Sequence, residues 1–261
     1  MRSLSTGATG MMAQQVNVEV ISNNIANMST TAFKRQRAEF QDLLYQNMRR
    51  PGSTSSDANT IVPTGVQIGV GVRTAGVYRI HEQGNLTMTG GTYDLAVSGK
   101  GMFQITLPSG DTAYTRSGSF QVDGNGQIVT VDGYQLVPNL TVPQGALAVS
   151  IDNTGTVEVT MPNQTAPQQI GQIQLATFVN EAGLEATGDN LYLETPASGQ
   201  PTIGAPNAAG FGVVRQGYIE TSNVNPVQEI TNLITAQRAY EMNSKVITAS
   251  DEMLQTATRL R

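Results

Sequence analysis

The sequence lacks cysteine and tryptophan, contains a single histidine and is poor in charged residues, which make up 13% of its 261 residues. Without cysteine there can be no disulfide bond, no thiolate catalysis and no zinc–cysteine site. The histidine, His81, stands beside Glu82, and the sequence places no set of metal-ligating or catalytic residues around it. We therefore interpret His81 as a surface residue at the end of a strand.

Long apolar runs are also missing. No segment reaches the ~18 apolar residues of a membrane span, and no run of signal-peptide length follows Arg2. The N-terminal segment has too few lysines and arginines for an amphipathic membrane anchor. The net charge of −5 and the lack of a basic cluster with aromatic residues argue against nucleic-acid binding. We expect no nucleic-acid partner, no membrane insertion and a cytoplasmic protein, unless a dedicated route exports it.

The C-terminal stretch, residues 225–261, predicts one long helix. Asn225 suits the N-cap, Pro226 suits the first helical position, and no glycine or proline follows. Two series recur at every seventh position: Leu233, Tyr240, Ile247 and Leu254, and beside them Ala239, Val246, Met253 and Leu260. Adjacent stripes with this period predict a helix that packs lengthwise against other helices. A single surface helix of a globular domain is the simpler alternative.

The N-terminal segment repeats this period, with four apolar side chains seven positions apart: Leu4, Met11, Val18 and Ile25. We expect the two ends of the chain to pair through these stripes as a coiled-coil-like core. The pair buries too little apolar surface to offset the entropy of ordering its backbone. Copies of the same chain are the most economical source of further helices, so the first series at each end forms the predicted assembly interface.

Residues 33–65 are predicted to form a second helix and then an extended stretch. Short polar residues at 22–31 compete for backbone hydrogen bonds and favour a break after the first helix. Four side chains between residues 33 and 49 then fall on one helical face: Phe33, Phe40, Leu44 and Met48. Residues 45–63 form an extended connection in which Pro51 and Pro63 limit backbone freedom. Apolar anchors stand at both of its ends: Tyr45, Met48, Ile61 and Val62.

From residue 66 the apolar period changes to two, beginning with Val66, Ile68, Val70 and Val72. Short strand candidates continue to about residue 220, separated by turns rich in glycine, proline, asparagine and aspartate. The predicted fold class is therefore α+β. Its parts are a discontinuous domain of terminal helices (1–32 with 224–261), the second helix with the extended stretch (33–65), and an inserted all-β domain (66–223).

The sequence offers no convincing active site. The loop that begins at Asp123 faintly resembles a calcium loop, but Gly133 and Tyr134 stand where the bidentate acid belongs. Gly69 and Gly71 lack the helix-opening third glycine of a dinucleotide site. Three aspartates that could act on glycans all lie in turn sequences: Asp111, Asp123 and Asp132. We expect no enzymatic activity, no cofactor and no metal.

Several stretches together resemble the rod and hook proteins of the bacterial flagellum. The segments ISNNIAN (21–27) and TTAFK (30–34) are similar to the N-terminal signature of that family. QRAYEMNSKVI (237–247) and DEMLQT (251–256) are similar to the C-terminal one, and YTRSGSF (114–120) to the region between them. The resemblance covers essentially the whole chain. It departs at Ala32, where most members have glycine, and at Ser5, where we would expect an aromatic residue.

The resemblance implies a structural subunit that leaves the cell unfolded, without a cleaved signal peptide, and polymerises in the periplasm into a helical tube. Terminal helices would line the core of the tube, with the β domains outside. The chain length and the stretch 45–63 resemble those of distal rod subunits, whereas hook proteins lack that stretch. The distal rod transmits torque to the hook. The implied partners are copies of the same chain, proximal rod proteins, the hook protein, the P- and L-ring proteins and the flagellar export apparatus.

Three alternatives stay open at this point. A proximal rod or hook protein of the same family differs mainly in the stretch 45–63. A secreted glycan-acting enzyme with helical extensions would need a cleft with paired acids. A ligand-binding or adhesive β module would work as an isolated monomer.

Overall fold

The computed structural model describes residues 2–51, 64–162 and 166–259. It is an α+β structure with helix α1 (Arg2–Ala26) near one end of the chain, helix α2 (Pro226–Arg259) near the other, and a strand-rich region between them. The predicted fold class is confirmed, whereas the coiled-coil character of the helices stays a prediction. Within the ranges just given, neither helix contains an apolar segment of membrane-spanning length.

The region between the helices contains short strands and one 3₁₀ turn, Glu181–Gly183. In chain order the strands are β1 (Gln36–Asp42), β2 (Tyr45–Arg49), β3 (Val66–Gly69), β4 (Val72–Arg79), β5 (Leu86–Met88), β6 (Leu95–Ser98), β7 (Met102–Thr106), β8 (Thr112–Thr115), β9 (Phe120–Val122), β10 (Ile128–Thr130), β11 (Gln135–Val137), β12 (Ala148–Ile151), β13 (Thr156–Thr160), β14 (Gln168–Gln172), β15 (Leu175–Thr177), β16 (Glu185–Gly188), β17 (Leu191–Leu193), β18 (Thr202–Gly204), β19 (Val213–Gln216) and β20 (Tyr218–Glu220).

The described chain divides into two compact units. The helical unit comprises Met1–Ala26, Gln36–Tyr78 and Asn225–Arg261, and the β unit comprises Asn27–Arg35 and Arg79–Val224. The helical unit thus contains strands β1 to β3 and nearly all of β4 as well as the two helices. The division into three domains at residues 33 and 66 stays a prediction.

Helix α2 begins where its capping residues place it. The Asn225 side-chain oxygen accepts hydrogen bonds from the Val227 and Gln228 N–H groups at 3.1 and 3.3 Å, which satisfies donors that have no partner inside the helix. Pro226 occupies the first helical position. The helix then runs without a break to Arg259 and packs along α1.

The predicted second helix at residues 33–49 is wrong, because these residues form strands β1 and β2. In β1 the half-buried positions Gln36, Ala38 and Phe40 alternate with exposed ones, as a strand with one covered face requires. Strand β1 pairs with β4 and packs against α1. This pairing joins segments more than thirty residues apart in the sequence, and it outweighs the helical spacing of the apolar residues.

Strands β2 and β3 form an antiparallel ribbon with the register Tyr45↔Gly69 and Gln46↔Ile68. Every residue of β2 is exposed, and so is most of β3. At the far end of the ribbon Pro51 lies against Gly65, where an added Cβ would be 2.6 Å from the proline Cδ. The described start of the predicted extended stretch is therefore a strand that pairs with β3.

The β unit is built on a nine-stranded sheet with the path β16-β17-β8-β7-β11-β10-β9, while β15 and β18 branch from β7. A second sheet, β12-β13-β14, contributes to the same hydrophobic core. Phe103 and Phe120 meet edge to face in that core, with ring centroids 5.2 Å apart. The core strands, among them β7 at 102–106 and β13 at 156–160, lie within the region where the sequence predicts short strands.

Candidate assembly interface

The two helices of the helical unit run antiparallel and approach each other closely at small residues. A Cβ added to Gly7 would lie 2.9 Å from Ile247 Cγ1, and one added to Gly10 would lie 2.9 Å from the Asn243 side-chain amide. Such distances leave no room for a larger side chain on α1. Ile247, one of the predicted interface residues, therefore packs on the α1 backbone at Gly7.

The most buried positions of α2 lie beside the predicted stripe. A series with mostly small side chains recurs there at every seventh position: Glu229, Ala236, Asn243 and Ser250. All but Asn243 are buried. The second predicted stripe lies away from this contact, because Val246 and Met253 are 47% and 64% exposed. Its last member, Leu260, lies outside the described residues. Small residues allow two helix backbones to approach more closely than leucine side chains would. The spacing of apolar residues in the sequence does not reveal such a contact.

The predicted interface residues occupy the edges of the helix contact. Seven of the eight are half-buried: Leu4, Met11, Val18, Ile25, Leu233, Ile247 and Leu254. Tyr240 is 44% exposed. Each stripe thus keeps part of its surface accessible in the isolated chain. Their role in assembly stays a prediction that this geometry accommodates.

Helix α2 carries a large exposed apolar surface outside the contact with α1. Six side chains on it are about half exposed or more: Val227, Ile230, Ile234, Met242, Val246 and Met253. Several hydroxyl groups on the same helix donate to carbonyl oxygens of the preceding turn, among them Thr231 to Val227 and Thr248 to Ser244. These hydroxyls have satisfied their donors within the helix, so covering them costs little. The surface is suited to further burial.

The ribbon, whose strand β2 begins the stretch predicted to distinguish the rod, presents apolar side chains on both of its strands. Tyr45 is 55% exposed, Met48 is 64% exposed, and Val66 is 48% exposed. The Tyr45 ring lies over Gly69 across the ribbon. A two-stranded ribbon exposed on both faces is marginally stable alone in water. Three predicted residues, Ile61, Val62 and Pro63, lie outside the described residues, whereas Pro51 marks the end of the described ribbon.

A buried ion network in the β unit joins three segments that are far apart in the sequence. The Glu220 carboxylate accepts from Lys34 Nζ at 2.5 Å and from Arg116 Nε at 2.7 Å. Lys34 is 2% exposed and Glu220 is 1% exposed. Further hydrogen bonds hold both cations, because Lys34 donates to the Glu82 carbonyl and Arg116 to the carbonyls of Val97 and Gly99.

This network shifts the pKa values of its acid and its amine. Burial by itself would raise the pKa of Glu220, but Arg116, Lys34 and the Gly84 N–H together hold it below its ordinary value. Burial lowers the pKa of Lys34, and the charge of Glu220 opposes that effect. A buried charge is tolerated when an opposite charge and further hydrogen bonds surround it, and this network supplies both. Sequence reasoning missed this network, although Lys34 and Arg116 lie in the quoted segments TTAFK and YTRSGSF.

His81 is not the surface residue that we expected. Its ring packs edge to face on Tyr192 with centroids 5.6 Å apart, and its Nδ1 is buried without a hydrogen-bond partner in the described chain. Burial, followed by the charges of Lys34, Arg79 and Arg116, lowers its pKa to about 4. The ring therefore stays neutral near neutral pH. The alternation of the sequence did not indicate this burial, which depends on a strand more than a hundred residues away.

The aspartates considered as catalytic or metal-binding groups are turn residues. Asp123 accepts hydrogen bonds from the backbone N–H groups of Gln127 and Asn125, and these bonds lower its pKa. Asp111 accepts from the neighbouring Ser109 hydroxyl. Among the described residues, no group of three or more histidine, cysteine, aspartate or glutamate side chains is placed to hold a metal ion.

Comparison with known families covers both ends of the chain and part of the middle. Residues 4–34 match the family described as "Flagella basal body rod protein". Residues 96–159 match "Flagellar hook protein FlgE/F/G D1 domain", and residues 215–260 match "Flagellar basal body rod FlgEFG protein C-terminal". These three ranges contain the segments on which the sequence resemblance rested.

Individual relatives align over the full length. The flagellar basal-body rod protein FlgG of Caulobacter vibrioides is 60% identical over 100% of both chains, and FlgG of Agrobacterium fabrum is 53% identical over 97% of each. FlgF of Caulobacter vibrioides is 31% identical and covers 98% of this chain and 96% of its own. A solved structure, the hook protein FlgE2 of Helicobacter pylori, shares 15% identity over 72% of this chain and 43% of its own, with a TM-score of 0.25 that supports no argument about the fold. From the full-length identity to FlgG proteins, the chain belongs to the family of flagellar basal-body rod proteins.

Proposed function

We propose that this chain is a non-enzymatic structural subunit of the flagellar distal rod, which polymerises through its helical unit into a tube that transmits torque. The observation that supports polymerisation is the apolar surface of α2, which α1 leaves exposed from Val227 to Met253. Several exposed apolar side chains on one helix support an interaction site there. Contacts between two different surfaces of one subunit produce an open filament when the rotation between copies does not close.

The comparison of relatives favours the distal rod over other axial proteins. Within one organism, Caulobacter vibrioides, the FlgG protein is 60% identical to this chain and the FlgF protein 31%. The alternative of a proximal rod or hook subunit is thus less well supported. The glycan-acting alternative has the turn aspartates against it, since Asp111 and Asp123 bond within their own loops.

The proposed surroundings follow from family membership. The partners are further copies of this chain, the proximal rod proteins, the hook protein, the P- and L-ring proteins and the export apparatus. The location is the basal body, reached by export without a cleaved signal peptide. Co-purification of tagged basal bodies from a host in which this chain replaces the resident subunit tests both statements together, because a chain that stays in the cytoplasm would contradict them.

Electron microscopy of the concentrated chain tests polymerisation. We expect straight tubes from the wild type and none from Ile247→Asp, because the aspartate would place an unpaired charge in the helix contact at Gly7. Gln168→Asp, at an exposed position of β14, is the matched control and should form tubes. Circular dichroism should show the same β signal in all three. Scattered wild-type monomers at every concentration would overturn the proposed function.

A further inference from the structure

A cleft in the β unit is lined by the two buried cations of the ion network. Its volume is about 260 Å³, and its lining includes Lys34, His81, Gln83, Lys100, Arg116 and Glu181. All of these residues belong to the β unit. Lys34 is 2% exposed and Arg116 is 7% exposed, so folding has withdrawn both cations from water. A cleft of this size has room for a small ligand.

Hydrogen bonds fix the wall of the cleft. The Gln83 side-chain oxygen accepts from the Gly99 N–H at 3.0 Å, and its nitrogen donates to the Val97 carbonyl at 3.3 Å. Arg116 donates to the carbonyls of Gly99 and Gly101. Both glycines have a positive φ, +107° and +134°, which favours glycine at these two positions. Because the wall is already held in place, a ligand would bind at little cost in ordering it.

Each buried cation has one N–H group that the described residues do not use. The Lys34 ammonium has three N–H groups, of which two donate to the Glu220 carboxylate and the Glu82 carbonyl. The Arg116 guanidinium has five, of which one donates to Glu220 and three to backbone carbonyls. Within the described chain, one donor on each cation is therefore available to a ligand.

The charges at the cleft leave an excess of one positive charge. Lys34 and Arg116 share a single carboxylate, Glu220. Lys100, which is exposed, and Glu181, which is half-buried, also line the cleft, and neither forms an ion pair with a described residue. Three cations thus face two carboxylates. A singly charged anion balances this excess, whereas a doubly charged one would be repelled by the two carboxylates.

His81 lies in the field of these cations. After burial, the charges that lower the pKa of its ring are three cations, Lys34, Arg79 and Arg116. Positive charges therefore act on the ring from several segments of the β unit. An anion bound in the cleft would reduce this field, so the ring is placed to respond to binding.

We propose that the cleft binds a small, singly charged carboxylate, whose oxygens accept the unused N–H groups of Lys34 and Arg116 while Lys100 attracts it from the exposed edge. Hydrogen bonds between such cations and a carboxylate are about twice as strong as those between neutral groups. Glu181 and Glu220 disfavour a doubly charged anion. The site adds ligand binding to the proposed structural role, and every copy of the chain carries it.

Titration with acetate tests the site, because His81 is the only histidine of the sequence and gives a single imidazole signal in proton NMR. The full chain is kept below the concentration at which tubes form, near neutral pH, with chloride holding the ionic strength constant. We expect acetate to move the ring-proton resonance of His81 until the shift saturates. Sulfate, which is doubly charged, should give no saturating shift.

Single substitutions at the edge of the cleft test the contribution of its charges. Lys100→Gln should raise the dissociation constant for acetate at least about threefold, because it removes an attractive charge. Glu181→Gln should lower that constant, because it removes a repulsive one. Lys245→Gln, at an exposed position of α2, is the matched control for the lost lysine and should bind as the wild type does. The His81 resonance without acetate checks that each variant keeps the wild-type fold.

Two results would overturn the site: no saturating shift with acetate, or equal affinities in Lys100→Gln and Lys245→Gln. Saturation by sulfate at lower concentration than by acetate would overturn the assignment to a singly charged carboxylate. The measurement needs no tubes, so its result is independent of the proposed function.

Discussion

Asn24 and Glu229 connect the two ends of the chain in the helical unit. Asn24 Nδ2 donates to Glu229 Oε2 at 3.2 Å and to the Gln36 carbonyl at 2.8 Å, while Asn24 Oδ1 accepts from the Gln36 N–H at 2.8 Å. Asn24 is 1% exposed and Glu229 is 4% exposed. One amide therefore holds α1, α2 and the first residue of β1 together.

Asn24→Ala should destabilise the helical unit. The substitution leaves the Gln36 N–H and the buried Glu229 carboxylate without these partners, and such orphaned groups cost ~1–3 kcal/mol each. We expect a lower melting temperature in the helical signal by far-UV circular dichroism. Ser22→Ala, at an exposed position of the same helix, should melt as the wild type does. Equal melting of both variants would show that Asn24 contributes no stability.

Glu220→Gln should destabilise the β unit by ~3–5 kcal/mol, because Lys34 and Arg116 would keep buried charges without a counter-ion. Urea denaturation near neutral pH measures this. Glu185→Gln, which removes an exposed carboxylate, is the control and should have little effect. If Glu220→Gln lowers the free energy of unfolding by less than ~1 kcal/mol, the backbone carbonyl groups around Lys34 and Arg116 are sufficient to stabilise both cations.

The same carboxylate gives a prediction for acid. The folded-state pKa of Glu220 lies below its ordinary value of 4.5, so its contribution is fully present above that pH. It is lost as the pH falls through the folded-state pKa, since the unfolded chain then binds the proton more readily. The wild type should lose stability in this range, whereas Glu220→Gln should lose less. An equal loss of stability in the two proteins over this pH range would refute the prediction.

His81 should make the β unit less stable in weak acid. Its pKa is lowered from 6.5 to about 4, so between these pH values the unfolded chain binds a proton on His81 and the folded chain does not. Stability is complete above pH 6.5 and falls as the pH decreases toward 4. Between about pH 7 and about pH 5 we expect a loss of ~2 kcal/mol in urea unfolding.

The matched variant for this prediction is His81→Phe. Phenylalanine keeps the edge-to-face contact with Tyr192, does not titrate, and removes the buried Nδ1 that has no partner in the described chain. Its stability should change little over the same pH interval. Because His81 is the only histidine of the sequence, no other imidazole obscures the difference. An equal loss in both proteins would assign the acid sensitivity to other groups.

The ribbon of β2 and β3 should stiffen the tube. Its exposed apolar side chains are available to neighbouring copies, so we expect deletion of residues 46–62 to leave tubes that are more flexible or curved. The double variant Tyr45→Thr and Met48→Thr keeps residues that favour strands but removes the apolar contacts, and it should act in the same direction. Gln46→Thr with Asn47→Thr is the control. The persistence length of the tubes, measured in electron micrographs, tests this prediction. Equal persistence lengths for all variants would show that the ribbon does not stiffen the tube.

The sequence by itself determined the elements whose signals are local. Asn225 and Pro226 set the start of α2, and the period of two with glycine turns placed strands such as β7 and β13. The family could also be recognised from the sequence, because TTAFK and QRAYEMNSKVI are continuous segments that need no structure to be read. Capping, turn conformation and alternation depend on neighbouring residues, so they are visible without the rest of the fold.

Only the tertiary structure decided what depends on partners far away in the sequence. Residues 36–42 became a strand because β4 offered a ladder of hydrogen bonds, although Phe33, Phe40 and Leu44 fit a helix equally well. The face of α2 that turns to α1 depends on the close approach of Ile247 and Asn243 to Gly7 and Gly10, which only the paired helices reveal. Helical and strand propensities differ by about 1 kcal/mol or less per residue, so a distant partner that buries a whole face overrides them.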